Sequence, residues 1–241
     1  MIEIENLVKK FGPLTAVNDI SFTVKPGQVL GFLGPNGAGK STTMKMITGF
    51  LAPTSGVIRV CGHIVEGDSL QAKREIGYLP EGAPSYGEMT ALQFLQFIAD
   101  VRGLKGTDKN QRIETVISQL NLHQVINRPI ETLSKGFKRR VGLSQAILHD
   151  PQVLILDEPT DGLDPNQKHE VRELIKGMAQ DKIVVISTHI LEEVDAVCTQ
   201  AIIIANGRVV ANETPKELIS RSPSGRLDDV FREITSAEKL S

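Results

Sequence analysis

Gly34-Pro35-Asn36-Gly37-Ala38-Gly39-Lys40-Ser41-Thr42 fits the pattern G-x-x-x-x-G-K-[ST]. An apolar run, Val29 to Leu33, leads into it and reads as a buried strand. A helical stretch, Ser41 to Thr48, leads out of it. Strand, glycine-rich loop and helix in that order form the context in which this pattern holds phosphate. The glycines let backbone N–H groups turn inward around a phosphate chain, and the positive end of the following helix adds to that field. Lys40 is placed to reach terminal phosphates, and the Ser41 hydroxyl to sit on Mg2+. The stretch implies a nucleoside triphosphate site.

The chain around it has 241 residues, enough for one large α/β domain or two small ones. Apolar residues make up 40%, which can build a substantial core. The net charge is -2 with acids and bases interspersed, so no nucleic-acid partner is expected. Aromatics are 4% and tryptophan is absent, which argues against a base-stacking platform. Cys61 and Cys198 are far apart and outside any CxxC pair, so they read as thiols in a reducing compartment. The start, Met1-Ile2-Glu3-Ile4-Glu5, is not that of a signal peptide, and no apolar run approaches the ~20 residues needed to span a bilayer. These features predict a cytosolic protein that works at a membrane only through a partner.

Outward from the loop, Ile2, Ile4 and Leu7 alternate with acids as in a half-buried strand. Phe11-Gly12 signals a turn; Ile20, Phe22 and Val24 alternate again, and Pro26-Gly27 closes that strand. Pro53-Thr54-Ser55-Gly56 turns into a short strand, Val57 to Val60. Glu75 to Pro80 reads as another strand. From Pro84 to about Pro151 the character is helical: Thr90 and Gln93 form a capping box, and Leu92, Leu95, Ile98 and Ala99 follow helical spacing as far as Gly103. Ile113, Val116, Ile117 and Leu120 mark a second helix, and a third runs from near Ser134 to His149.

Strand and helix then alternate. Strands are predicted at Val153 to Leu156, Ile183 to Ser187 and Ala201 to Ala205, with helices at Pro165 to Gln180 and Leu191 to Ala196. Asn206-Gly207 is a hairpin turn, so the last strands are antiparallel. Short helices follow at Pro215 to Ser220 and Leu227 to Ile234. The reading is an α/β fold: a P-loop NTPase with a mixed, mainly parallel core sheet, an N-terminal antiparallel β subdomain and an inserted α-helical subdomain. Residues 1–83 and 152–220 form the nucleotide-binding core, 84–151 the helical insert, and 221–241 a short tail.

A second chemical motif is Val153-Leu154-Ile155-Leu156-Asp157-Glu158, an apolar strand ending in two acids. Downstream of a phosphate loop, Asp157 is placed to hold Mg2+ and Glu158 to polarise a water as general base. Leu133-Ser134-Lys135-Gly136-Phe137-Lys138-Arg139-Arg140 opens the helix before that strand; Ser134 and Gly136 at a helix start suit an anion. His189, just past the strand ending at Ser187, could contact a γ-phosphate.

With these residues together, the chain resembles the nucleotide-binding subunit of an ABC transporter over essentially its full length. GPNGAGKST resembles its Walker A, VLILDE its Walker B and LSKGFKRR its signature motif. Asp161-Gly162-Leu163-Asp164-Pro165 matches its D-loop, Ser187-Thr188-His189 its switch histidine, and Phe11 falls where that family stacks an aromatic ring on adenine. The signature departs from the commonest LSGGQ: Lys135 replaces the first glycine and Phe137 the glutamine, while Ser134 and Gly136 remain. Glu81 in Tyr78-Leu79-Pro80-Glu81 stands where the family has a glutamine; a carboxylate can still ligate Mg2+. YLPE with LSKGF resembles the ABC-2-type exporter subgroup, such as multidrug or gliding-motility ATPase subunits.

The resemblance implies two ATP-Mg held between two copies, or a copy and a paralogous subunit, packed head to tail. Gly34 to Thr42 hold the phosphates, with Lys40 on the β- and γ-phosphates. Ser41, Asp157 and Glu81 hold Mg2+. Ser134 and Gly136 of the facing copy cap the γ-phosphate, Glu158 activates water and His189 stabilises the transferring charge. It also implies integral membrane permease subunits, and a place on the inner face of the cell membrane through them. The short segment after Ser220 is expected to leave no room for an extra regulatory domain. A soluble ABC ATPase acting on DNA or ribosomes is the alternative, but the spacing from Lys40 to Ser134 excludes a long coiled coil, and one cassette is present rather than two. A regulatory nucleotide binder without turnover is opposed by intact Lys40, Asp157, Glu158 and His189.

Overall fold

A computed structural model of the chain describes residues 1–66, 70–82, 85–222 and 224–237. The expected start of the helical region at Pro84, its boundary with residue 83, and the end of the tail from 238 lie outside the described residues.

The chain opens with β1 (Ile2–Phe11), β2 (Leu14–Val24), β3 (Val29–Leu33) and α1 (Lys40–Ile47). Next come β4 (Ser55–Val60), β5 (His63–Ile64), α2 (Leu70–Arg74) and β6 (Ile76–Leu79). The helical region holds α3 (Ala91–Val101), α4 (Gly106–Gln119), two 3-10 turns at His123–Val125 and Ile130–Thr132, and α5 (Lys135–Ile147). The rest runs β7 (Val153–Asp157), α6 (Pro165–Met178), β8 (Ile183–Thr188), α7 (Leu191–Val197), β9 (Gln200–Ala205), β10 (Arg208–Glu213), α8 (Pro215–Ser220) and α9 (Leu227–Ala237).

The strands form two sheets, an antiparallel one in the order β2-β1-β4-β5 and a larger one in the order β10-β9-β3-β8-β7-β6. The larger sheet is parallel except for the β9–β10 hairpin across Asn206-Gly207. Every residue of β3, β7 and β8 is buried, as a parallel sheet covered on both faces requires. Alternate side chains serve different cores. Leu154, Leu156, Val184 and Ile186 face α3 to α6, whereas Val153, Ile155, Val185 and Phe32 face α1 and the antiparallel sheet.

The helical region is fastened to the sheet by side chains that reach backbone carbonyls. Arg102, at the end of α3, donates to Lys73 O at 3.0 Å and Ile76 O at 3.2 Å. Gln145 of α5 donates to Tyr78 O at 2.7 Å. The capping box at Thr90 and Gln93 is formed, with bonds of 3.2 and 2.9 Å.

His149 follows α5, its Nε2 3.2 Å from Ile76 O and its buried Nδ1 without a partner. Burial, aided by Arg102 and Arg112, pushes its pKa down from 6.5 to about 4. The fold therefore keeps His149 neutral where the unfolded chain would take up a proton. The stability that depends on this neutral form is present above 6.5 and is lost as pH falls toward about 4. Urea unfolding across that window is expected to show a smaller acid loss for His149→Gln, which keeps a donor for Ile76 O. Equal losses in the two proteins would remove His149 from the account.

Candidate active site

The site is built at the C-terminal ends of β3, β7 and β8, where parallel register sets Leu33 beside Thr188, and Asp157 beside Ser187. At the end of β3 the loop turns on an Ala38 N–H to Pro35 O bond of 3.2 Å and enters α1 with Gly39 as N-cap at φ 108. No side chain caps that end, and the N–H groups of a helix's first turn lack intrahelical acceptors. A Cβ on Gly34 would lie 2.4 Å from Ile204 O, and one on Gly39 2.5 Å from Ala16 O. These two glycines are thus required by backbone packing against β9 and β2, in addition to any approach of phosphate. Gly37 alone of the three faces open space.

Lys40 is 8% exposed, and its Nζ donates to Gly34 O at 2.6 Å and Pro35 O at 3.1 Å. Burial lowers its pKa, opposed by the nearby charges of Glu158, Asp157 and Glu81. A cavity of about 470 Å³ joins Phe11, Leu14, Lys40, Ser41, Thr42 and Glu81. Phe11 is 48% exposed, so it is not a core residue, and Lys9 Nζ lies 5.2 Å from its ring centroid. Open N–H groups, an amine and an exposed ring around one cavity fit a nucleoside triphosphate. Among the described residues no cluster of three or more His, Cys, Asp and Glu side chains could hold a metal by itself. A Ser41 hydroxyl with Asp157 and Glu81 carboxylates would suit Mg2+, which keeps waters and phosphate oxygens in its shell.

Glu158 follows β7 with φ 54, an uncommon backbone for a residue with a side chain. Its N–H donates to Ser187 O at 2.8 Å. Its carboxylate lies 2.7 Å from His189 Nδ1, through Oε1. The turn is held from beneath by Arg139 of α5, which is 5% exposed and donates to Asp157 O, Glu158 O and, at 3.0 Å, Pro80 O. Arg139 is a residue that the motif reading did not single out. Periodicity could not have found it, since α5 buries nine of its 13 residues, on more than one face.

Ser134 is the N-cap of α5, its Oγ accepting the Phe137 N–H at 3.4 Å. One of the N–H groups expected to be free there is therefore taken by the cap itself. Neither Ser134 nor Gly136 lines the cavity, nor do Asp157, Glu158 and His189. Lys135 turns to the neighbouring Asp161, 2.9 Å away.

A second cavity, about 570 Å³, lies between the end of α1 and α3. Lys45, Phe50, Tyr86, Phe97 and Arg102 line it, and Phe50 and Tyr86 are mostly exposed. No helix among the described residues is long and apolar enough to cross a membrane.

Fold and loop define a P-loop nucleoside triphosphatase. Residues 17–161 match the ABC transporter family. The chain is 34% identical, over 91% of its length, to the Nod factor export ATP-binding protein I of Ralstonia nicotianae, and spans 69% of that protein. It is 38% identical, over 92% of its length, to the linearmycin resistance ATP-binding protein LnrL of Bacillus subtilis, and spans 71% of it. Against the probable multidrug ABC transporter ATP-binding protein YbhF of Escherichia coli the figures are 36% and 95%, and there it spans only 40%. A solved ATP-binding subunit of an ABC transporter superposes with a TM-score of 0.89 at 30% identity, covering 98% of this chain and 99% of that one. A dimeric cassette in a post-hydrolysis state bound to ADP and Pi shares the fold, with a TM-score of 0.82 at 23% identity over 89% of this chain and 99% of that one. The chain belongs to the ABC transporter family, as an ATP-binding subunit with ATPase activity.

Proposed function

We propose that the chain hydrolyses ATP as one half of a head-to-tail dimer and so drives a separate membrane permease, in the direction of export. The observation that carries this reading is the division of the site. One cavity collects Phe11, Lys40, Ser41, Thr42 and Glu81, while Ser134 and Gly136 open a different helix outside it. A second copy, turned head to tail, would bring its own Ser134 and Gly136 over the γ-phosphate.

Lys40 and the N–H groups of the first turn of α1 take the β- and γ-phosphates, and Phe11 offers its face to the adenine. Ser41, Asp157 and Glu81 would hold Mg2+, which when bound neutralises charge on the phosphate oxygens. Glu158 accepts the proton of the attacking water, and His189 orients the Glu158 carboxylate and stabilises the developing charge. Loss of the γ-phosphate contacts releases the two copies, a population shift driven by contacts present in one state only.

The groove at Phe50, Tyr86 and Phe97 supports a membrane partner, since exposed aromatics around a cavity suit an inserted helix. Export is supported by the names of the relatives, Nod factor export and linearmycin resistance. A photocrosslinker at position 86 or 50, used in native membranes, is expected to capture an integral membrane polypeptide that is absent when the crosslinker sits at exposed Asp181. Equal capture from all three positions, or none, would overturn the permease reading.

A further inference from the structure

We infer that Glu193 is a positioning residue for the Glu158 carboxylate, acting through the Thr188 hydroxyl. This rests on the proposal that Glu158 is the general base. Glu193 lies in the first turn of α7 and is 2% exposed, while Thr188, the last residue of β8, is fully buried. Thr188 Oγ1 is 2.8 Å from Glu193 Oε2, 3.4 Å from Glu158 Oε2 and 3.1 Å from the Ile190 N–H that donates to it.

A hydroxyl has one proton and two acceptor lone pairs, so it cannot donate to both carboxylates. One arrangement satisfies all three contacts. Glu193 carries a proton and donates it in a hydrogen bond to Thr188 Oγ1; Ile190 N–H fills the other lone pair; and the Thr188 hydroxyl donates to Glu158 Oε2. His189 Nδ1 holds the other oxygen, Oε1, so the Glu158 carboxylate is fixed from two sides. With Glu193 ionised, Thr188 would turn its proton to Glu193, and Glu158 would lose that donor while facing a second negative charge.

Other features agree with a protonated Glu193. Its Oε1 is buried without a partner, a smaller cost for the carbonyl oxygen of an acid than for an ionised carboxylate. Burial pushes its pKa up; the Thr188 hydrogen bond opposes this, and the Glu158 charge adds to it. Arg172 and Lys168 of α6 are the cations that face it, and neither forms an ion pair with it. Glu192, its neighbour, is exposed, so burial is specific to 193.

The test is steady-state ATPase kinetics on variants at 188 and 193, with nucleotide binding and thermal melting as controls for folding. Thr188→Val removes the donor to Glu158 and is expected to lower kcat by about tenfold, the effect of one hydrogen bond; Glu193→Ala removes only the group that orients that donor and is expected to lower kcat by a few-fold, with KM for ATP within about twofold for both. Thr188→Ser keeps the hydroxyl, and Glu193→Gln keeps a neutral donor; both are expected to hold kcat within about twofold of the parent. Thr188→Val placed on Glu158→Gln is expected to add no further loss. The inference falls if Thr188→Val keeps the parent kcat, if Glu193→Gln is as impaired as Glu193→Ala, or if Thr188→Val lowers the residual rate of Glu158→Gln about tenfold. Full turnover by Glu158→Gln would instead remove the general-base reading itself.

Discussion

Glu158→Gln is expected to lower ATP turnover by roughly 10²- to 10⁴-fold, the range a positioned general base contributes, while ATP stays bound. Glutamine has nearly the shape of glutamate, so the substitution tests chemistry and leaves packing alone. Its amide oxygen can still meet His189 Nδ1, 2.7 Å from the native carboxylate. It cannot take a proton from water. The backbone at φ 54 and its bond to Ser187 O do not depend on the side chain, so the turn persists. If the site is shared between two copies, stalled hydrolysis also keeps them together. Gel filtration with ATP is then expected to show a dimer for this variant and a monomer without nucleotide. Phosphate release at the parent rate would remove Glu158 from catalysis, and a monomer under all conditions would remove the shared site.

Lys40→Ala is expected to weaken ATP binding by roughly 10- to 100-fold. The Lys40 ammonium lies within the loop and is almost wholly buried, so its hydrogen bonds to phosphate would be charge-assisted and shielded from water, worth about 1.5–3 kcal/mol. Three acids near it, Glu158, Asp157 and Glu81, would face the phosphates without a balancing cation once it is gone. Equilibrium titration with a fluorescent ATP analogue measures the effect. An unchanged Kd would show that the loop amides hold the nucleotide unaided.

The parallel core was legible because β3, β7 and β8 are short runs, apolar but for the last one or two residues of β7 and β8, a pattern that survives without knowledge of neighbours. The Thr90–Gln93 box and the Asn206-Gly207 hairpin were legible for a similar reason, being local chemistry. Strand β5 was not, since His63 and Ile64 are both exposed and two residues carry no alternation. Helix α2 buries only Ala72, so it writes no apolar stripe. Most residues of the cavity could be named one by one, yet Leu14 and Ala16 joined them only when β2 was seen to run beside the loop. Glu193 was the least visible. Two adjacent glutamates start α7, and only the packing of α6 against α7 decides which is buried.

The hold of Arg139 on three carbonyls bears on when the molecule becomes competent. The loop after β3 rests on distant partners: Ala38 O accepts from Gly207 N–H, and β3 pairs with β8 and β9. The turn at Glu158 likewise takes its shape from a guanidinium of residue 139, a carbonyl at 187 and a shared anchor at Pro80. Contacts so far apart in sequence form late, after the closure entropy of the intervening chain has been met. Competence to hydrolyse serves as the chain's own report that α5, β7 and β8 have all been assembled.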